Sequence, residues 1–446
     1  MQLSPAHNTL TILLLISLAG SVAGQEAVTL SEQFEPGHIS KVDVAVKLSG
    51  KLAVPTGKDK APQLVPLTGH SRVTYDERVL SPDEPGMLKA VRVYREVEFV
   101  RVVGGSTQDA GIRPSVRRLV VIKTDGRRAP FSPDGPLTWG EIDVVRTDVF
   151  NPSVVPGLLP PGPVRKGQTW KASAAAVAEL TDMEKVDSGA IEVELLGITE
   201  IERKRVARLR ISGTVKGVNE DGPNEQSLEG TAYFDLDARL LTYLSIKGTH
   251  KLLDGTGQTV GMVEGQFSMT RSRIDRPPAE LSDAALSIVA LKPTAENTLL
   301  LYDNVELGVR FLYPRGWRVG AVQGRQVTVD HARGAGLLIT VEPAARVPSA
   351  QDYLTESTAF LAKQKAEITA TDKITRVRSE PVLLDRFGLD ATFGMDKARL
   401  EYAVLKQTDG GATVAARIPG PEVASVKPEV ERIIRSLSVT RKIEGK

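Results

Sequence analysis

Few residues in this chain are spaced to do chemistry. Asp235 and Asp237 stand at i, i+2 on one face of a strand, where two carboxylates could seat a cation; a solvated pair flanking a turn is the simpler reading. Asp352 and Glu356 stand at i, i+4, a spacing that on a helix pairs carboxylates for acid–base work, but no base or metal ligand accompanies them and a solvated helix face explains them as well. Gly104-Gly105-Ser106 opens like a nucleophile elbow and lacks the rest of that motif. Gly255, Gly257 and Gly261 miss dinucleotide-binding spacing by one residue and fall in a hairpin rather than a βαβ unit. Asp221-Gly222, between Asn219 and Asn224, lacks the spacing of an EF-hand loop. The five histidines (His7, His38, His70, His250, His331) are scattered, none three or four residues from another, so they do not converge on zinc. Cysteine is absent, which removes thiol catalysis, disulfides and thiolate metal sites. No catalytic, cofactor-binding or metal-ligating residue is assigned, and no cofactor is expected.

The elements that would position a site come from the rest of the chain. With 446 residues, two or three domains are expected. The apolar fraction of 41% suffices for packed cores, but aromatics are only 5%, so aliphatic side chains must fill them. A net charge of +2 with both signs interspersed gives no electrostatic case for nucleic acid.

Residues 1–24 read as a cleavable signal peptide. Thr11–Leu18 (TILLLISL) is its apolar core, and Ser21 with Ala23, or Val22 with Gly24, fit the small-residue cleavage site. The run is shorter than the ~20 apolar residues of a membrane span. It lacks Lys or Arg before the apolar core, and no lipidated cysteine follows. The mature chain is expected to have no transmembrane span and to be periplasmic or secreted.

Residues 25–275 read as an antiparallel β domain, one unit or two halves with a break near 150–166. Val42–Leu48 and Val91–Val100 alternate with period two, the mark of half-buried strands. Arg118–Lys123 and Ile142–Val149 read as further strands. Pro156–Pro163 interrupts the series, because prolines do not sit in central strands. Strands resume at Ala190–Leu196, Val206–Val215, Gly230–Leu236, Leu241–Lys247 and Val260–Thr270, with Ala172–Leu180 as one short helix. The stretch from Lys166-Gly167-Gln168-Thr169-Trp170 through Gly230-Thr231-Ala232-Tyr233-Phe234-Asp235 to Leu240–Ile246 resembles secreted bacterial β domains, similar in outline to half-barrels of the LolA and LppX lipoprotein-carrier type. That resemblance implies a curved sheet with an apolar cavity.

Residues 276–297 read as a linker, bounded by Pro277-Pro278 and carrying Pro293. Residues 298–446 read as an α+β domain. The hairpin Val309–Tyr313 and Trp317–Val319 turns at Pro314-Arg315-Gly316. Strands follow at Gln326–Asp330, Gly336–Glu342, Ile374–Leu384, Leu389–Phe393, Arg399–Lys406 and Thr413–Ile418, the last two joined at Asp409-Gly410-Gly411. One helix starts at Ser349 with a capping-box-like Ser349–Asp352. A second shows Val430, Ile433, Ile434 and Leu437 on one face, with Pro428 in its first turn. Gly308-Val309-Arg310-Phe311, Tyr313-Pro314 with Gly316-Trp317, the helix at Ser349 and the closing Ile433-Ile434-Arg435-Ser436-Leu437 resemble the PsbP-like family. The resemblance implies an antiparallel sheet between helical layers and no catalysis.

The expected fold is therefore α+β: an N-terminal, mostly-β antiparallel curved sheet or half-barrel, then a C-terminal antiparallel sheet sandwiched by helices. The expected function is an exported bacterial, non-enzymatic binding or scaffold protein of the cell envelope, with an envelope protein or an apolar ligand as partner. The alternatives are a lipid or apolar-ligand carrier acting through the half-barrel, and an enzyme whose site is assembled from distant residues.

Overall fold

The computed structural model describes residues 27–54, 63–219, 222–378 and 382–444. The expected signal peptide, residues 1–24, and the turn residue Asp221 lie outside them. The chain begins with β1 (Ile39–Val54), β2 (Gln63–Val79), β3 (Leu88–Val103), β4 (Ser106–Asp109), β5 (Arg118–Thr124), β6 (Arg127–Phe131) and β7 (Leu137–Thr138). Then come α1 (Trp139–Arg146), α2 (Asn151–Leu158), β8 (Thr169–Lys171) and α3 (Ala174–Thr181). Five long strands follow: β9 (Lys185–Ile201), β10 (Lys204–Asn219), β11 (Gly222–Asp235), β12 (Leu240–Leu253) and β13 (Thr259–Arg273). These form a 12-stranded sheet in the order β6-β5-β3-β2-β1-β13-β12-β11-β10-β9-β8, with β4 added on β3 and β7 left out.

Strand alternation sorts this sheet into two faces. On the inner face, one row runs from strand to strand through Val73, Val44, Met269, Leu244, Ala232, Leu209 and Leu195. All seven are buried in the core that also takes Ile142 and Val145 of α1, Val154 and Leu158 of α2, and Ala176 and Val177 of α3. The sheet's apolar surface is thus covered by short helices of the same chain, which meets the need of any sheet to bury one face. On the opposite face of β3, Val91 and Val93 are covered by Leu281 and Leu286, from a 3-10 turn (Ala279–Leu281) and α4 (Asp283–Ser287). Residues between 276 and 297 are therefore docked on the sheet, with Arg78 donating to the Leu281 carbonyl at 2.6 Å.

The rest of the chain contributes β14 (Leu300–Asn304), β15 (Val309–Tyr313), β16 (Trp317–Gln323), β17 (Gln326–His331), β18 (Gly336–Glu342), α5 (Ala350–Lys363), β19 (Glu367–Thr371), β20 (Thr375–Arg378), β21 (Leu383–Phe393), β22 (Asp396–Gln407), β23 (Gly410–Pro419), α6 (Val423–Ser436) and β24 (Ser438–Val439). A four-stranded sheet, β24-β15-β14-β7, recruits β7 from the first half of the chain, with Leu300 opposite Leu137 in the parallel pair β14–β7. An eight-stranded sheet runs β16-β17-β18-β23-β22-β21-β19, with β20 added on β21.

The α+β expectation is corrected. The chain is mostly β, built on sheets of 12, 4 and 8 strands, and its helices do not form layers sandwiching the C-terminal sheet. The reason is length. α5 and α6 have 14 residues each, about 21 Å at ~1.5 Å per residue, whereas eight strands spaced ~4.8 Å span about 34 Å. Local readings also change: Leu389–Phe393 is not a separate strand but the end of β21, which already includes Leu384. Ile142–Val149, read as a strand, begins inside α1, because Thr138 and Glu141 form a capping box that starts a helix at Trp139. Pro428 lies inside α6 rather than in its first turn, since the helix already begins at Val423.

Candidate functional site

A large concavity lies against the 12-stranded sheet. It is a trough of about 1080 Å³ over seven adjacent strands, β3-β2-β1-β13-β12-β11-β10. Two cross-strand rows of outward positions border it. One runs His70, Lys47, Gln266, Lys247, Glu229 and Ser212; the other runs Val102, Thr68, Ser49, Glu264, Thr249, Ser227 and Thr214. Between them lies a row of inward positions: Gly69, Leu48, Gly265, Gly248, Leu228 and Gly213. Four of the six are glycine, and glycine inside a strand marks a bend or a close approach of backbone. Gly213 shows why no side chain fits: a Cβ there would sit 2.1 Å from the carbonyl oxygen of Ala190 on the neighbouring strand.

The trough mixes polar and apolar surface, with apolar atoms the larger share of its exposed lining. Ser227 and Thr214 share a hydrogen bond of 2.9 Å, and His70 Nε2 is 3.1 Å from the Glu98 carboxylate. Lys47 and Lys247 make no ion pair among the described residues, although Glu229 stands opposite Lys247. No aromatic ring lines the trough, and only Val100, Val102, Leu48 and Leu228 are aliphatic. Seven strands spaced ~4.8 Å make it about 29 Å long.

Two charged clusters elsewhere are sealed in the core. Arg92, wholly buried, has Nε 2.8 Å from Glu77 Oε2, Nη1 3.1 Å from Asp148 Oδ2, and donates through Nη2 to the Val149 carbonyl at 3.1 Å. The Tyr75 hydroxyl donates to the same Asp148 oxygen, and the guanidinium lies 4.3 Å over the Tyr75 ring. Burial pushes the Asp148 carboxyl above its usual range, with Arg92 acting in the opposite direction. Arg271 and Glu32 make a second such pair at 2.9 Å. With Arg92, Glu77, Asp148, Arg271 and Glu32 all buried, these groups pin α1–α2 and the N-terminal segment to the sheet and are closed to a substrate.

The residues weighed from sequence have structural work. Asp235 Oδ1 accepts from the backbone of Asp237 at 3.0 Å and Ala238 at 2.9 Å, capping the β11–β12 turn. Asp352 accepts from the Ser349 hydroxyl at 2.6 Å in the N-cap of α5, while Glu356 is exposed. Gly104-Gly105 is the β3–β4 turn, and Gly255 with Gly257 lie in the β12–β13 turn, closed by Asp254. The structure brings none of them together, and no group of three or more potential metal ligands occurs among the described residues. The trough residues were missed, yet they carry a signal: polar-Gly-polar triplets inside strands, Thr68-Gly69-His70, Ser212-Gly213-Thr214, Lys247-Gly248-Thr249 and Glu264-Gly265-Gln266.

No helix among the described residues is long and apolar enough to cross a membrane. No family model matches the chain, and no curated protein matches it. Among solved structures it is similar to cyanobacterial PsbP from Synechocystis sp. PCC 6803, at 18% identity over 32% of this chain and 92% of that one, with a TM-score of 0.26. A structure of lipovitellin described for its lipid–protein interactions aligns at 9% identity over 56% of this chain and 27% of that one, with a TM-score of 0.33. DynF from the dynemicin biosynthesis pathway of Micromonospora chersina aligns at 12% identity over 56% of this chain and 86% of that one, with a TM-score of 0.14. The chain spans about a quarter of the lipovitellin chain. The PsbP likeness is a weak one of fold over a third of the chain, and at these scores none of the three carries an argument about function.

Proposed function

We propose that this is an exported, non-enzymatic binding protein of the cell envelope whose trough holds an extended polypeptide segment of another envelope protein. The observation that carries this reading is the trough itself: about 1080 Å³, crossing seven strands. Its chemistry favours a polypeptide. Lys47 and Lys247 lie beside Glu229 and Glu264, with hydroxyls and the Gln266 amide between them, matching the mixed charges and amides of a peptide. A sugar chain would lack an aromatic ring to stack on. An acyl chain would meet only Leu48, Val100, Val102 and Leu228 as aliphatic side chains. Export rests on the sequence of residues 1–24, and the mature chain is expected to start near Gly24 or Gln25, as intact-mass analysis would detect.

The test is fluorescence anisotropy with the full chain. The probe is a labelled ten-residue peptide of alternating Glu and Ser, with cis-parinaric acid as the contrasting ligand. The expected result is salt-sensitive peptide binding, weakened about tenfold in the Lys47→Glu/Lys247→Glu double variant, as befits the loss of two charge-assisted contacts. Equal binding by the double variant, or binding of parinaric acid with no peptide binding, would overturn the reading in favour of a scaffold or an apolar carrier.

A further inference from the structure

The Pro314-Arg315-Gly316 corner has a role that the trough does not explain. Arg315 reaches from the β15–β16 corner into a cleft of about 550 Å³ formed with the β5–β6 turn, α1 and the end of α3. Its guanidinium is half-buried and makes neutral contacts only: Nε donates to the Thr298 carbonyl at 3.1 Å, and Nη2 donates to the Pro130 carbonyl. Among the described residues no carboxylate pairs with it, and Nη1 has no partner. Burial lowers its pKa to about 10. A cation withdrawn from water normally has a counter-charge, because carbonyl dipoles only partly replace lost hydration.

Four carboxylates line the cleft: Asp125, Glu179, Asp182 and Glu184. Glu179 sits 3.3 Å from Arg128, is bonded to Lys123 Nζ, and accepts from the Phe150 backbone at 2.7 Å. Asp182 pairs with Arg146 at 3.2 Å, Glu184 lies 3.9 Å from Arg127, and Asp125 makes no ion pair among the described residues; against these four stand Arg127, Arg128, Arg146, Lys185 and Arg315. With Lys123 behind Glu179, the cations of this cleft outnumber its carboxylates.

The geometry points to a site for a small oxyanion, phosphate- or carboxylate-type, held by the free edge of Arg315 with Arg128 and Arg146 beside it. The volume suits a small-molecule site, typically about 300–1,000 Å³. Because Arg315 belongs to the corner and the other cations to the first sheet and α1, a bound anion ties the two together. Anything that binds only the folded chain stabilises it by mass action.

The experiment is thermal unfolding of the full chain against sodium phosphate, sodium citrate and sodium chloride at matched ionic strength. The expected result is a saturable rise in Tm with phosphate or citrate and none with chloride; which of the two acts at lower concentration identifies the anion class. Arg315→Gln and Arg315→Lys should each weaken the apparent affinity by about tenfold or more, since neither keeps the planar fork. A control change at the turn residue Arg203, Arg203→Gln, should leave the response intact. Phosphate and citrate also stabilise proteins by exclusion from the surface, giving an unsaturated rise. A rise of that kind, equal in wild type and variants, or no rise at all, overturns the site. Should both Arg315 variants fail to fold, calorimetric titration of wild type with inorganic phosphate decides: measurable one-to-one heat supports the site and its absence overturns it.

Discussion

Trp317 is wholly buried, and its indole N–H donates to Oε2 of Glu429 on α6 at 2.7 Å. The His331 ring packs 5.0 Å away, centroid to centroid, with Nε2 3.7 Å from the same carboxylate oxygen. The corner that Pro314 and Gly316 turn therefore delivers one large ring under the last helix, beside Val426, Val430 and Ile433 in a common core. Trp317→Ala should cost about 3–5 kcal/mol, the usual range for emptying a large aromatic site. Glu429→Leu, which orphans the indole N–H, should cost about 1–3 kcal/mol. Urea midpoints measured for both variants check the ranking; a Trp317→Ala loss below that of Glu429→Leu contradicts it.

Arg92 offers a second test, because its partners are as buried as it is. Removing one member of a buried ion pair leaves an uncompensated charge and typically costs about 3–5 kcal/mol. Arg92→Met should fall in that range, since Glu77 and Asp148 lose their cation together. Arg92→Met with Glu77→Gln and Asp148→Asn removes all three charges and should recover part of the loss. Equilibrium denaturation of the single and triple variants reads this directly; a triple variant no more stable than Arg92→Met would mean that packing, not charge, sets the cost.

How much was legible varied with the range of the interaction. The long strands were readable because period two is local: Val42–Leu48 falls inside β1, and Val260–Thr270 inside β13. Ser349 was legible as an N-cap for the same reason, and its hydroxyl accepts from the Asp352 backbone at 3.1 Å. α1 was misread because Ile142, Val144, Val145 and Val149 look like a strand until the Thr138–Glu141 box is noticed. α2 was hidden by proline, although Pro152 lies in the first turn of the helix, where its missing N–H costs little. The ion cluster joins Glu77 and Arg92 to Asp148 across more than 50 residues, beyond any local pattern. The trough lay between: its polar-Gly-polar triplets are local, but their alignment across seven strands appears only once the register is known.

Glu141 supplies a pH test. Burial alone would raise its pKa; hydrogen bonds from the Arg113 side chain and from the Arg113 and Thr138 backbones outweigh that and hold it below the usual value. A carboxyl depressed in the folded state is protonated more readily when unfolded. Its stabilisation is thus fully present above the unfolded pKa, about 4.3 for Glu, and is lost as pH falls through the lower folded value. Glu141→Gln should be less stable than wild type at pH 7, and the gap should narrow below about pH 4. Urea midpoints at both pH values check this; a gap that widens in acid would show that the carboxylate is not stabilised by these donors.

The glycine row makes the sharpest prediction, because two positions in one row should respond oppositely to the same change. Gly213 and Gly265 both lie between the polar rows of the trough, on β10 and β13. A Cβ at Gly213 meets the Ala190 carbonyl oxygen at 2.1 Å and the Ile191 Cα at 2.7 Å, both backbone atoms of a paired strand that cannot swing away. A Cβ at Gly265 meets nothing nearer than the Lys47 carbonyl oxygen at 3.9 Å. Gly213→Ala must therefore push β9 and β10 apart, at a cost of about 1–3 kcal/mol or more, as for other overpacked sites. Gly265→Ala should change stability by no more than about 0.5 kcal/mol, with relief of glycine's unfolded-state entropy offsetting any small contact. If the bend at Gly213 shapes the trough, Gly213→Ala should also weaken peptide binding under conditions where the variant remains folded, while Gly265→Ala leaves it unchanged. Equal stability losses at the two sites would show that the row bends uniformly and that the close approach at Gly213 is not what fixes the trough.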